Sequence, residues 1–121
     1  MSIRNCLLIA VGTLGATFAS AQAQDFPSRP ITLVIPFAPG GSTSIVGRGI
    51  AEKMSEFLGE KIVIDNRPGA GGTVGTRAVA KSAPDGYTLL LGYTGTLTIG
   101  PSLYKNVGYD PRKDFAPVGM I

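Results

Sequence analysis

The stretch that decides the fold is residues 36–49, PFAPGGSTSIVGRG, where an apolar segment runs into Pro-Gly-Gly, three hydroxyl residues and a helical pattern. The overlapping run at residues 31–37, ITLVIPF, is apolar and rich in β-branched side chains, which is typical of a strand buried on both faces. From Ile45 onward, apolar residues recur at spacings of three and four, which predicts an amphipathic helix that Gly59 ends. The stretch therefore predicts a strand, a glycine-rich loop and a helix.

The same order of elements repeats further along the chain. Residues 61–65, KIVID, predict a second strand; residues 66–72, NRPGAGG, predict a loop; and residues 73–82 predict a second helix. A turn at residues 83–86, APDG, then leads into a third apolar strand at residues 87–91, YTLLL. This alternation predicts an α/β fold with a βαβαβ parallel sheet and right-handed crossovers.

The last thirty residues give a weaker pattern. Residues 92–101, GYTGTLTIGP, are predicted to form a loop, and residues 104–113 are polar and rich in turn formers. Residues 114–121 resemble the start of another apolar strand. We therefore expect irregular structure followed by the beginning of a fourth strand.

The two glycine-rich loops are candidates for an anion site. In an open parallel sheet, ligands bind beyond the carboxyl ends of the strands, where both loops are predicted to lie. Gly40 and Gly41 allow the backbone to approach a ligand closely, and residues 42–44 place hydroxyls at a helix N-terminus that has free N–H groups. The second loop, residues 69–76, repeats this arrangement with Thr73 as the candidate N-cap. The pair suggests a ligand with one or two carboxylates.

The same residues have plainer explanations. Pro-Gly-Gly followed by Ser and Thr also describes a tight turn and a helix cap with no ligand. Neither loop matches the phosphate-loop or dinucleotide-binding patterns, so nucleotides are disfavoured. Among the tyrosines, only Tyr93, beside the loop after the third strand, is a candidate ligand contact, because tyrosines more often pack or form interfaces.

The N-terminus predicts a secretory signal peptide. Arg4 gives a positive start, residues 6–18 are largely apolar, and small residues around Ala21 offer a cleavage site, with Ala23 as the alternative. A membrane anchor was the competing interpretation, but the apolar run is shorter than the roughly 20 residues needed to span a bilayer. We expect residues 1–21 to be removed and the protein to be exported.

Composition excludes several functions. The chain has no histidine, and its single cysteine, Cys6, lies within the predicted signal peptide. A Ser-His-Asp or Cys-His nucleophile pair and a histidine-based zinc site are therefore excluded, and an enzyme is not expected. The net charge of +3 is small and its basic residues are scattered, which does not favour nucleic acid. We expect no cofactor and no metal.

Residues 26–118 resemble the N-terminal part of the Bug family, the tripartite tricarboxylate transporter (TctC-like) periplasmic substrate-binding receptors. The resemblance rests on four segments in order: PFAPGGST at 36–43, NRPGAGG at 66–72, APDGY at 83–87 and YDPRKDFAPV at 109–118. It implies the type II periplasmic-binding-protein fold, in which two lobes capture a small carboxylated solute and present it to membrane permease subunits. Residues 22–121 would then form a truncated first lobe, with the second lobe absent and binding impaired.

The resemblance also implies which residues bind the solute. In the family, loops after the first and second strands hold the ligand carboxylate through backbone amides, hydroxyls and bridging waters. Carried onto this chain, with a third loop at the same mouth, the ligand-binding residues are Phe37, Ala38, Gly40, Gly41, Ser42, Thr43, Gly71, Gly72, Thr73, Thr94, Gly95 and Thr96.

The chain departs from the family pattern in its first helix. The family usually places aspartate at the position of Ser44 and helix formers at those of Gly47 and Gly49. Ser44 is still able to cap the helix, but each interior glycine should destabilise it by about 1 kcal/mol relative to alanine. Besides a receptor fragment, two functions stay open: an exported interaction module that binds no solute, and a small enzyme that uses the glycine-rich loops to bind anions.

Overall fold

The computed structural model describes residues 25–121, so the predicted signal peptide at residues 1–21 lies outside the described part of the chain. Its strands are β1 (Ile31–Ile35), β2 (Ile62–Asn66) and β3 (Thr88–Leu90). Its α-helices are α1 (Ser42–Leu58), α2 (Thr73–Ala80) and the single turn α3 (Gly100–Leu103). The predicted α/β fold with a βαβαβ order is confirmed.

The three strands form one parallel sheet with the order β2-β1-β3. β1 is central: Leu33 is level with Ile64 of β2 on one side and with Leu89 of β3 on the other. The chain therefore moves from β1 to one side, and then crosses β1 to reach the other side. In parallel sheets such a reversal of direction creates a crevice at the carboxyl ends of the strands, between the loops that follow β1 and β3.

β1 is buried on both faces, as its apolar sequence predicts. Its residues Ile31, Val34 and Ile35 are each at most 1% exposed. The core on one face of the sheet contains alternate β1 residues together with residues from α1, β2 and the end of β3: Ile31, Leu33, Ile35, Ala51, Ile62 and Leu91. At the end of β1, α2 packs so closely that a Cβ on Gly75 would lie 3.0 Å from Cα of Pro36. The carboxyl end of β1 is thus fixed by backbone packing.

α1 begins earlier than its apolar periodicity indicates, because its first turn uses the hydroxyl residues. Gly41 is the N-cap, and no side chain caps the helix. The expectation that Ser44 caps α1 is wrong: Ser44 is 1% exposed and its Oγ has no hydrogen-bond partner. The C-terminus is as predicted, with Gly59 in the left-handed region at φ 71° and its N–H donating to Ser55 O.

The two interior glycines of α1 have different environments. A Cβ on Gly47 would lie 2.6 Å from Cδ1 of Ile35 and 3.1 Å from Cδ2 of Leu91, whereas a Cβ on Gly49 would meet nothing within 4 Å. Gly47 therefore lets α1 approach the sheet closely, and its low helix propensity accompanies a packing requirement. Gly49 has the same low propensity without that requirement.

The C-terminal part differs from the sequence-based expectation. The predicted loop at residues 92–101 contains a π-helical turn (Gly95–Ile99) that continues into α3. Pro101 lies in the first turn of α3. The prediction that residues 114–121 begin a fourth strand is wrong: no described strand pairs with them, and Met120 is fully exposed. Within residues 25–121, no helix has the length and hydrophobicity that a bilayer crossing requires.

At the amino-terminal ends of the strands, the segment before β1 contacts the turn before β3. Arg29 Nη2 lies 2.9 Å from Asp85 Oδ2, and the Arg29 guanidinium stacks 3.8 Å from the centroid of Tyr87. The Ser28 N–H donates to the Tyr87 hydroxyl, and the Ser28 hydroxyl bonds it as well; these bonds lower the pKa of Tyr87. Residues 83–87, APDGY, therefore stabilise the amino-terminal ends of β1 and β3, away from the glycine-rich loops.

Candidate functional site

The three loops that follow the strands meet at Gly72. A Cβ on this residue would lie 2.7 Å from Cγ2 of Thr96, 3.3 Å from Cζ of Phe37 and 3.3 Å from the carbonyl oxygen of Pro36. Gly72 is buried and has φ 93°, so both its conformation and its surroundings require glycine. The sequence-predicted residues Phe37, Gly72 and Thr96 are therefore in direct contact, and this contact defines the centre of the candidate site.

The first loop extends from this centre as exposed backbone. Ala38, Gly40, Gly41 and Ser42 are all exposed, and Gly40 turns the chain with φ 96°. Since the N–H groups of Ser44 and Ile45 both donate to Gly41 O, the helix offers its earlier amides, those at residues 42 and 43, to a ligand. Thr43 is half-buried beside them.

The second loop is a tight 3₁₀ turn (Ala70–Gly72) that leads directly into α2. The Gly72 N–H donates to Gly69 O at 2.9 Å, and Gly71 is exposed at φ 64°. The N-cap of α2 is Gly72 rather than the predicted Thr73. Thr73 is the first helical residue; it is 4% exposed, and its hydroxyl donates to Ala70 O at 3.0 Å. Its role is therefore to hold the turn.

The third loop places its predicted residues at different depths. Thr94 is exposed, Gly95 is half-buried and Thr96 is fully buried. The Thr96 hydroxyl and N–H both donate to Tyr93 O at 3.0 Å, so this side chain closes the turn beneath the surface. Unlike the expectation from sequence, Thr96 supports the mouth of the site from below, and Thr94 is the residue that faces solvent.

Two side chains outside the predicted set position the loops. Asn66, at the end of β2, donates from Nδ2 to Phe37 O at 2.9 Å and so ties the first loop to the second. The hydroxyl of buried Tyr109 donates to Thr96 O at 2.6 Å and supports the third loop from below. Burial raises the pKa of Tyr109. A polar residue directly after an apolar strand, as in IVIDN, is the sequence signal that could have identified Asn66.

The electrostatics of the site come from the backbone. No Asp, Glu, Lys or Arg occurs in residues 36–43, 69–76 or 92–100. The nearest arginines along the chain have other partners: Arg67 Nε lies 2.7 Å from Asp65 Oδ2, and Arg77 Nε donates to Val107 O. The first turn of α1 contains no acidic residue, so its positive end is not neutralised locally. The arrangement suits a small anion held by neutral donors.

A half-open concave surface lies beside the site, between α3 and residues 104–112. It has a volume of about 660 Å³, and Tyr104 is part of its wall. The hydroxyl of Tyr104 also lies 3.6 Å from the position of a Cβ on Gly71, so this tyrosine separates the concave surface from the second loop. Among residues 25–121, no group of three acidic or cysteine side chains is placed to hold a metal ion.

Solved periplasmic binding proteins share this α/β architecture. The structure of the periplasmic binding protein BugD matches 78% of this chain with a TM-score of 0.75 and 51% identity, covering 31% of BugD. MatC from Rhodopseudomonas palustris, solved with bound malate, matches 77% of the chain with a TM-score of 0.74 and 47% identity, covering 32% of MatC.

The model of the tripartite tricarboxylate transporter family receptor, TctC, matches residues 46–121, and the chain belongs to that family. Protein BugT of Bordetella pertussis is 44% identical over 119 residues, which are 95% of this chain and 36% of BugT. The chain therefore spans about a third of the length of the curated relatives it matches. The relatives are receptors and binding proteins, which confirms the expectation of a protein that is not an enzyme.

Proposed function

We propose that this chain contributes the first lobe of a periplasmic receptor that captures a small carboxylated solute for a tripartite tricarboxylate-type transporter. The observation that carries the proposal is the meeting of three loops at Gly72, together with an α1 N-terminus whose first turn contains no acidic residue. A carboxylate bound there would accept hydrogen bonds from the amides of residues 42 and 43, and the hydroxyls of Ser42, Thr43 and Thr94 are further candidate donors. Malate bound to MatC supports this ligand class.

The location and partners follow from the same proposal. Residues 1–21 act as the export signal, residues 22–121 fold in the periplasm, and the loaded receptor presents its solute to the permease subunits in the membrane. The family resemblance implies a second lobe that would close over the ligand. Because each hydrogen bond to a charged ligand contributes roughly 1.5–3 kcal/mol, the loops of one lobe alone should bind in about the millimolar range.

The test is an NMR titration of the isotopically labelled protein with malate, citrate and glutarate, followed through its backbone amide signals. We expect saturable chemical-shift changes at residues 41–43 and 71–73, and smaller changes around Asp85, at the amino-terminal ends of the strands. Shifts that are equal throughout the protein, or that grow without saturation, would contradict a carboxylate site at these loops.

Two variants at one position separate the amide from the side chain. Ser42 is the first residue of α1, where proline is well tolerated, and Gly41 before it is extended at φ −79° and ψ 169°. Ser42→Pro therefore removes one N–H donor and leaves the helix intact, whereas Ser42→Ala removes only the hydroxyl. We expect Ser42→Pro to weaken carboxylate binding at least about tenfold and Ser42→Ala to change it little. The reverse order would exclude recognition by the amide.

A further inference from the structure

An aromatic pair lies next to the proposed carboxylate site. The rings of Phe37 and Tyr93 pack edge to face, with centroids 5.4 Å apart and planes at 88°. Phe37 belongs to the first loop and Tyr93 precedes the third loop, so the pair joins the two loops that border the crevice between β1 and β3. This geometry is the preferred one for two aromatic rings.

The pair rests on the glycines of the site. The tip of the Phe37 ring lies 3.3 Å from the position of a Cβ on Gly72, and Cε1 of Tyr93 lies 2.7 Å from the position of a Cβ on Gly95. Neither ring can move toward the backbone, and each restricts the other from the side. These contacts restrict the orientations of the Tyr93 ring before any ligand arrives, which lowers the entropy lost on binding.

The packing against Phe37 leaves part of Tyr93 exposed. The residue remains 52% exposed, so part of its ring is accessible from the crevice side or from solvent. No charged side chain occurs in residues 36–43, 69–76 or 92–100, and the nearby Arg67 is paired with Asp65. An exposed aromatic surface is therefore the main feature of these segments that can distinguish one carboxylate from another. A ring offered by the ligand would meet this aromatic pair at the border of the crevice between β1 and β3.

We propose that Tyr93, held by Phe37, is a specificity-determining residue that makes this site prefer carboxylates attached to an aromatic ring over aliphatic carboxylates of equal charge and size. The inference rests on the proposed carboxylate site and adds the class of ligand. An aromatic pair formed with the ligand should favour the aromatic acid by about 2- to 12-fold.

The experiment compares benzoate with cyclohexanecarboxylate, which have the same charge at pH 7 and the same number of carbon atoms, by NMR titration of the purified protein. We expect benzoate to bind more tightly by the factor given above, with shifts at Gly72 and Gly95. Tyr93→Leu should reduce the ratio of the two dissociation constants to about 1, and Tyr93→Phe, which keeps the ring, should preserve it. Thermal melts of both variants establish that they fold.

The outcomes separate the two proposals. If both acids bind the wild-type protein equally, or if Tyr93→Leu keeps the preference for benzoate, Tyr93 does not set specificity and the carboxylate site still stands. If neither these acids nor malate, citrate or glutarate produce saturable shifts, the proposed function fails and the specificity inference fails with it.

Discussion

Replacing each interior glycine of α1 by alanine tests how the helix packs on the sheet. Alanine favours a helix by about 0.8–1.0 kcal/mol over glycine. At Gly49 nothing surrounds the added methyl group, so the full gain should appear as stability. At Gly47 the methyl group would lie 2.6 Å from Cδ1 of Ile35, which is 0% exposed, and 3.1 Å from Cδ2 of Leu91, so the core would have to shift to accommodate it. Overpacking of this kind destabilises by roughly 1–3 kcal/mol.

The two effects at Gly47 have opposite signs. Subtracting the gain in helix propensity of about 1 kcal/mol from the overpacking penalty leaves Gly47→Ala destabilised by roughly 0–2 kcal/mol. Gly49→Ala should be about 1 kcal/mol more stable than wild type, so the variants should differ by roughly 1–3 kcal/mol. For a domain of this size, each 1 kcal/mol corresponds to about 4–8 °C in Tm.

Far-ultraviolet circular dichroism of the two variants and the wild type, recorded during heating and in urea, measures the difference. The expected order of stability is Gly49→Ala, wild type, Gly47→Ala. If Gly47→Ala were as stable as Gly49→Ala, α1 would not lie against Ile35 and Leu91 as described, and the argument from close packing would be wrong.

Three further substitutions test buried contacts. Ser44→Ala removes a buried hydroxyl without a partner, so we expect an increase in the free energy of unfolding of about 1 kcal/mol in urea titrations; a decrease would show that Oγ has a partner in solution. Tyr109→Phe should lower it by roughly 1–3 kcal/mol, because Thr96 O loses its donor. Burial raises the folded-state pKa of Tyr109 above its ordinary value of about 10. The neutral hydroxyl therefore contributes fully to the free energy of unfolding below about pH 10, and this contribution is lost as the pH rises through the folded-state pKa. Tyr109→Phe should not show this loss. Gly108→Ala should destabilise by about 1 kcal/mol or more, because φ is 77° and the added Cβ would lie 2.7 Å from Nε of Arg77; an unchanged melting curve would contradict this packing.

The sequence predicted the elements whose patterns arise from local chemistry. The apolar runs gave β1 and β2 to within two residues at each end, and Gly59 marked the end of α1 because a left-handed C-cap selects glycine. The parallel order followed from the alternation of strands and helices, because parallel neighbours require crossovers. These features depend on residues close to one another in the chain.

The features that the sequence did not reveal depend on tertiary contacts. Gly47 resembled a defect in the helix, and only the position of Ile35 shows that it is a contact point. Thr96 was expected to place its hydroxyl at the mouth of the site, but its side chain is buried against Gly72. Residues 115–121 have the composition of a strand, but a strand needs a neighbour with free backbone groups, which composition cannot specify.

The sequence predicted which loops form the candidate site, and it did not predict the contacts between them. The glycine spacing located the first two loops, and the family resemblance added the third. Neither showed that Gly72 is the residue on which all three loops converge, or that Asn66 joins the first loop to the second. Such contacts link residues about thirty positions apart, and local spacing contains no information on them.

The uncharged donors of the proposed carboxylate site have a consequence for the conditions under which it would bind a solute. Main-chain amides and threonine hydroxyls do not titrate in the range that a bacterial envelope experiences, so the protein's half of the interaction would be the same in acidic and alkaline surroundings. Affinity would then follow only the ionisation of the solute, and uptake would decline where the acid itself becomes protonated. Such a site would respond to the protonation state of the solute, and its own charge would stay constant as the pH changes.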